Sequence, residues 1–169
     1  MHVVTAQPGT FQAAAEAHLD DVFAYLVYLT GSRSLAEDLT GATFEKALQI
    51  WRRFDPHRAS ARTWLCQIAR TTALDHFRAE ARRRRREEAY AADAPLTEEP
   101  LVEGLSPELE AALRSLTAGE REVIALRVLL ELDGPTAARV LGISPTACST
   151  RLSRALHRLE ELMKDAVAA

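Results

Sequence analysis

Only two cysteines occur in the 169 residues, Cys66 and Cys148. They stand far apart, and neither has a second Cys or a His pair at metal-ligand spacing. That argues against a zinc ribbon, a disulfide scaffold and a CxxC redox pair. Both are read as small, buried apolar residues, and no metal and no cofactor are expected. No apolar run is long enough to cross a bilayer, and the N-terminus lacks a signal-peptide pattern. The expectation is a cytoplasmic protein with no membrane insertion. The five His are scattered, there is no Gly-rich phosphate loop, and no Ser/His/Asp set is suggested by spacing. Nothing in the pattern points to an enzyme. Strand-like alternation is almost absent too, which leaves an all-α fold.

Net charge is only −3, so the whole-chain balance carries no nucleic-acid signal. The distribution does. From Arg52 to Arg86 there are eleven Arg and three acids. From Glu87 to Glu110 there are eight acids and no base, and from Arg139 to Arg158 four Arg and no acid. Two basic blocks around an acidic one suggest two anion-binding surfaces on either side of a linker.

Helical periodicity supplies the elements. A first helix runs from about Phe11 to Leu29 and ends at Thr30-Gly31. A second starts at Ser34, where Ser34 and Glu37 have capping-box spacing, and carries Leu35, Leu39, Thr43, Ala47, Ile50 and Trp51 until Asp55-Pro56 stops it. Ser60 caps a third, with Trp64, Ile68, Thr71 or Thr72, and Asp75 on successive turns, continuing toward the Arg82–Arg86 run. Residues 89–106 contain Pro95, Pro100, Gly104 and a cluster of acids without periodicity, and read as a flexible acidic linker. Ser106-Pro107 opens a fourth helix. Thr117 and Glu120 repeat the capping-box spacing before Val123, Ile124, Leu126 and Leu130, and Asp133-Gly134-Pro135 breaks that run. These divisions give two small helical domains, residues 10–88 and 107–166, joined by the linker.

Within the second domain, a short helix to Leu141, the tight Gly142-Ile143 turn and a Ser144-capped last helix have helix-turn-helix spacing. Gly142 permits the turn because glycine takes a positive φ without steric cost. The last helix offers Thr146, Ser149, Thr150, Ser153 and Arg154 on its polar side, and its N-terminal turn suits a major groove. Arg154 or Arg151 has the fork of donors that matches guanine O6 and N7.

A helix-turn-helix alone describes many DNA-binding regulators, and such a regulator would leave the Arg62–Arg78 block unused. The first half carries further motifs. Ala36-Glu37-Asp38-Leu39 with Phe44, Ala47 and Trp51 resembles the polymerase-binding helix of sigma region 2. Arg62-Thr63-Trp64-Leu65-Cys66-Gln67-Ile68-Ala69-Arg70, followed by Asp75-His76-Phe77-Arg78, resembles the helix of that region that handles the −10 element. Leu116 to Leu132, Ala138 to Ser144 and Arg151 to Ala155 resemble region 4, which reads the −35 element. The resemblance extends from about Asp21 to Leu162 and is specific as a combination. It is to the sigma-70 family of transcription initiation factors, in its compact extracytoplasmic-function (ECF) type. Gly41 and Ala42 depart from the Gln-Glu common in the family, Thr71 from an Asn, and Thr136-Ala137-Ala138 from Glu-Ile-Ala.

The resemblance implies a factor that binds core RNA polymerase, through the β′ clamp helices and the β flap, and directs it to promoter DNA. It implies polymerase contacts at Glu37, Asp38, Thr40, Gly41 and Glu45. For the −10 strand it implies Arg53, Asp55, Arg58, Ser60, Arg62, Trp64, Arg70, Thr71 and Arg78, an aromatic and a set of cations suited to single-stranded DNA. For the −35 duplex it implies Thr146, Ser149, Thr150, Arg151, Ser153 and Arg154. An anti-sigma factor is a further expected partner. The Ala168-Ala169 end resembles tags taken by Clp-type proteases, and those small terminal residues are expected to fray.

Overall fold

In the computed structural model, which describes residues 9–87 and 99–169, seven α-helices carry the chain and no strand occurs among the described residues. No described helix is long and apolar enough to cross a membrane. Helix α1 (Phe11–Thr30) starts where the Thr10 hydroxyl accepts from the Ala13 N–H, and ends at Gly31 with φ 68°. It buries Val22, Tyr25, Leu26 and Leu29. Helix α2 (Arg33–Gln49) begins earlier than the Ser34–Glu37 spacing implied: Ser32 is the cap, accepting from the Leu35 N–H. Thr30 fixes this by hydrogen-bonding both the N–H and the carbonyl of Ser32. Helix α2 also ends before Trp51, which falls in a single 3-10 turn, Trp51–Arg53. Helix α3 (Ala61–Arg86) is capped by Ser60, as expected, and does run through the arginines.

The last residues of the linker have structure of their own. Leu101 is buried in the core, and its N–H donates to Glu110. Residue 88 and residues 89–98 of the linker lie outside the described residues. Helix α4 (Pro107–Ser115) has Ser106 as cap and Pro107 in its first turn. Helix α5 (Ala118–Ile124) has the full reciprocal capping box of Thr117 and Glu120. The helix then widens into a π turn, Ala125–Leu129, and Glu131 takes φ 53°. That extra residue puts both Leu130 and Leu132 in the core. Asp133 does more than break the run: it caps α6 (Gly134–Leu141), accepting from the Thr136 N–H. This exposed cap holds the Asp133 carboxyl below its ordinary range. Gly142 makes the turn at φ 67°, and Ser144 caps α7 (Pro145–Ala168). The tail expected to fray is helical to Ala168.

One apolar core runs through both halves. Helix α1 packs on α2 and α3, and also on α5 and the π turn, while α3 meets α6. Leu26, Leu65 and Leu126 are fully buried, each worth about 1.5–3 kcal/mol. Cys66 and Cys148 are both free and fully buried. Burial pushes the Cys66 thiol up to about 12 from 9.0. That leaves roughly a thousandfold less thiolate at neutral pH, before any steric protection. Native chain treated with a maleimide should therefore leave both thiols intact, and denaturant should expose both. Rapid labelling of the native chain, read by intact mass, would contradict this packing.

Candidate functional site

Three surfaces carry the residues singled out in the sequence. The first is the outer face of α2. Glu37, Asp38, Gly41 and Glu45 are exposed there, and no hydrogen bond or ion pair is made by the three acids among the described residues. Thr40 does not share this face. Its side chain is buried, and its hydroxyl donates to the Ala36 carbonyl at 2.7 Å. Gly41 leaves a flat spot, since a Cβ there would touch nothing.

The second surface is the loop before α3. Five aromatics prop it. Trp51 stacks on Phe54 at 4.8 Å, Trp64 sits 5.3 Å from Phe54 and edge-on to Trp51, and Phe11 and Phe44 close the far side. This stack is why the chain leaves helical geometry at Trp51. The Asp55 carboxylate accepts from the His57 N–H, which shapes the turn. Above the stack lies a cavity of about 500 Å³ lined by Arg53, Asp55, Arg58, Ala59, Trp64, Gln67 and Arg139. Four of the nine residues expected at the −10 strand therefore meet in one cavity. Ser60 is spent on capping, although its hydroxyl stays at the surface. Arg62 turns toward Asp21 of α1 at 3.7 Å, and Arg78 lies about two turns of α3 beyond Arg70, beside Asp75. Thr71 is exposed. Gln67 and Arg139 were missed. Gln67 was within reach of a sequence argument, because it lies one turn from Trp64. Arg139 comes from the other half and left no local signal.

The third surface is α7. Thr146, Ser149, Thr150, Ser153 and Arg154 are exposed and Arg151 is half-buried. Thr146, Thr150, Arg151 and Arg154 line a shallow concavity with Ser144 and Glu120. Cys148 and Ala155, on the opposite face, are fully buried and hold the helix down. The geometry is a polar ridge standing on an apolar keel, behind a glycine turn.

A charged cluster that the sequence did not suggest joins the halves. Glu122, 3% exposed, accepts from the Tyr25 hydroxyl at 2.6 Å and from Arg70 Nε at 2.7 Å. Burial, and then Glu122, raise the Tyr25 hydroxyl well above its usual range. Arg121 donates to the Tyr28 and Leu116 carbonyls, and burial lowers its guanidinium below its usual range. Glu122 lies on the apolar stripe with Leu126, a position where a lone acid signals a buried partner.

Comparison with known proteins agrees with this layout. Residues 14–83 match the family model for Sigma-70 region 2, and residues 106–159 match that for Sigma-70, region 4. The chain is 33% identical over 150 residues to the ECF RNA polymerase sigma factor SigC of Mycobacterium tuberculosis, covering 88% of this chain and 80% of that one. It is 32% identical over 171 residues to the ECF RNA polymerase sigma factor BldN of Streptomyces coelicolor, covering 96% of this chain but 65% of the relative. Among solved structures, the sigma factor RpoE of Bartonella quintana, in complex with the anti-sigma factor NepR, superposes with a TM-score of 0.80 at 26% identity, covering 91% of this chain and 96% of that one. Two sigma regions in order, on a chain this similar to SigC over most of both lengths, make this protein a member of the sigma-70 family, an ECF RNA polymerase sigma factor.

Proposed function

We propose that the chain docks on core polymerase through the exposed face of α2, holds the non-template −10 strand at the cavity before α3, and reads the −35 duplex with α7. The carrying observation is the cavity itself, where an indole and three guanidinium groups stand around a space of about 500 Å³. A base flipped out of a duplex costs a few kcal/mol, and stacking returns about 1–3 kcal/mol per base. Trp64 offers the stacking surface, Arg53 and Arg58 the cations for the flanking phosphates, and Asp55 and Gln67 the polar groups for a base edge. Opening needs no cofactor on this reading, because binding of the melted strand drives it. On α7, Arg154 and Arg151 are the cations at base-reading height, with Thr146, Ser149, Thr150 and Ser153 beside them. The residues 10–88 and 107–166 serve as the two working units. The RpoE neighbour is solved with an anti-sigma factor bound, which supports extending that class of partner to this chain.

The deciding experiment is run-off transcription with bacterial core polymerase on a library of promoter fragments. The expected result is specific initiation only when the chain is added. DNA binding by the chain with no dependence on polymerase, and no specific transcript, would return it to the ordinary helix-turn-helix regulators.

The arginines at the end of α3 allow a separate measurement. Arg82 to Arg86 are all exposed, and among the described residues only Arg83 of the five forms an ion pair, with Glu80 at 2.7 Å. Four of the five fall in the last turn, where the helix dipole favours cations by about 0.3–1 kcal/mol each. That accounts for tolerance of the run but not for five in a row. Replacing Arg83, Arg84 and Arg85 by Gln should lower the salt dependence of promoter binding by the holoenzyme. Each lost phosphate contact removes about 0.7–0.9 from the log–log slope. An unchanged slope would assign the run to helix stability or to protein.

A further inference from the structure

We infer that the face of α3 that presents Trp64 continues as a row of guanidinium groups, Arg78, Arg82, Arg85 and Arg86, that seats phosphates of the duplex upstream of the −10 element. Arg83 and Arg84, in the same run, take no part. The placement of the row rests on the −10 assignment proposed above, while its cations can be tested apart from that assignment.

The helix period and the side-chain partners sort the arginines of α3 in the same way. Helix α3 is unbroken from Ala61 to Arg86. At about 100° per residue, Thr71, Arg78, Arg82, Arg85 and Arg86 all fall within about 60° of Trp64 around the helix. All five are exposed. Asp75 is the one acid on this stripe, and it lies 3.4 Å from Arg78. Arg82, Arg85 and Arg86 make no ion pair among the described residues. The arginines off the stripe are engaged elsewhere. Arg62 and Arg70 turn to Asp21 and Glu122, and Arg83 pairs with Glu80. Arg84 lies on the opposite side and lines a groove with Leu35 and Phe77. The helix dipole does not account for the row, because Arg78 and Arg82 precede the last turn.

The chemistry of the stripe changes along its length. Trp64 and Gln67 wall the cavity, where an unpaired base can stack. Beyond Gln67 the stripe holds no aromatic side chain and offers charge alone. An unpaired strand is held by stacking as well as by charge, so this stretch suits paired DNA better. Duplex DNA carries one phosphate charge for about every 1.7 Å of its axis. Cations spaced roughly 5–6 Å along α3 therefore meet a phosphate in any register. Such contacts fix position and carry no sequence information. The unit proposed to read −35 follows the C-terminal end of α3 in the chain, which turns that end upstream. Trp64 to Arg78 spans roughly 21 Å and Trp64 to Arg85 roughly 32 Å, or about six and nine base pairs at about 3.4 Å each. One rigid helix thus meets the promoter on both sides of the upstream edge of the melted stretch. An indole faces the open strand and guanidinium groups face the closed duplex.

The test uses holoenzyme, formed from the full chain and core polymerase, on a promoter fragment that supports run-off initiation. Arg78→Gln, Arg82→Gln and Arg85→Gln together should lower the log–log salt slope by about 2.7, at about 0.9 per duplex contact, and weaken promoter binding at least about tenfold. Arg83→Gln with Arg84→Gln should leave slope and affinity at wild-type values. The triple replacement of Arg83, Arg84 and Arg85 then removes one contact, so its slope falls by about 0.9. With wild-type holoenzyme, a neutral methylphosphonate placed about six to nine base pairs upstream of the −10 base should weaken binding several-fold. The same neutral groups should cost the Arg78, Arg82 and Arg85 variant nothing. Equal losses from the two sets of variants overturn the row. So does a promoter that tolerates neutral phosphates there, or one sensitive only downstream of the −10 base. The phosphate measurement needs no variant to fold, so it decides alone if the triple variant loses its helical circular dichroism. A Trp64→Ala variant with full affinity for pre-opened promoter sinks the −10 assignment and with it the placement of the row, whereas the comparison of the two arginine sets still reads the cations.

Discussion

Glu37→Lys with Asp38→Lys should weaken binding to core polymerase by at least about a hundredfold, or roughly 2.7 kcal/mol, with no change in helical content. Both acids sit in the second turn of α2 on its open face, and neither has a partner within the described residues. Reversal therefore breaks nothing inside the fold. The two Lys lie near the N-terminal end of the helix, where cations are unfavourable by about 0.3–1 kcal/mol each. Against a total stability of about 5–15 kcal/mol that loss is small. Close charge pairs across an interface couple by about 1.5–7 kcal/mol, so two reversals suffice for the stated loss. Gly41→Ala provides the control. A methyl group there meets nothing within the chain, and Ala stabilises a mid-helix position by about 1 kcal/mol over Gly. If Gly41→Ala raises the melting temperature yet weakens polymerase binding, the flat spot is part of the docking face. If the double Lys variant binds as tightly as the wild type, the docking face lies elsewhere.

The parts of this fold that the sequence disclosed are those with local causes. Ser60, Ser106, Thr117 and Ser144 cap the helices they were expected to cap, because an oxygen three residues before a free N–H is a local arrangement. Gly31 and Gly142 take the left-handed geometry that their positions after apolar helices implied. Where the expectation slipped, a contact that spacing alone does not reveal prevailed. Ser34 and Glu37 had capping-box spacing, but Thr30 ties down Ser32 first. Trp51 fits the apolar stripe of α2, but stacking on Phe54 draws it into a 3-10 turn. The π turn at Ala125 exists so that Leu130 and Leu132 both face inward, which no periodicity with a fixed step anticipates. The same limit applies to the site. Arg53, Asp55, Arg58 and Trp64 are near one another in sequence and meet in one cavity. Arg70 belonged to the same list, yet its nearest acid is 52 residues away, and nothing near it in the chain foretold the pairing.

Trp64 is the residue on which packing and DNA binding overlap, and two substitutions separate them. One side of the indole lies against Trp51 and Phe54, and another lines the cavity with Arg53 and Arg58. Trp64→Ala should cost about 3 kcal/mol of stability, the low end for truncating a large aromatic, because the side chain is only half-buried. It should also remove the stacking contribution of about 1–3 kcal/mol, a loss of up to about a hundredfold in affinity of the holoenzyme for promoter opened at the −10 element. Trp64→Phe keeps the contact with Phe54 and recovers most of the stability. A benzene ring presents less surface toward the cavity than an indole, so part of the affinity should stay lost. Thermal melting and binding to pre-opened promoter, measured on the same two variants, should therefore rank differently. Near-complete recovery of stability in Trp64→Phe with incomplete recovery of DNA affinity is the expected pattern. If affinity instead follows stability in strict proportion through both variants, Trp64 is core alone, and the cavity must hold the −10 strand through Arg53, Arg58 and Gln67 without an aromatic platform.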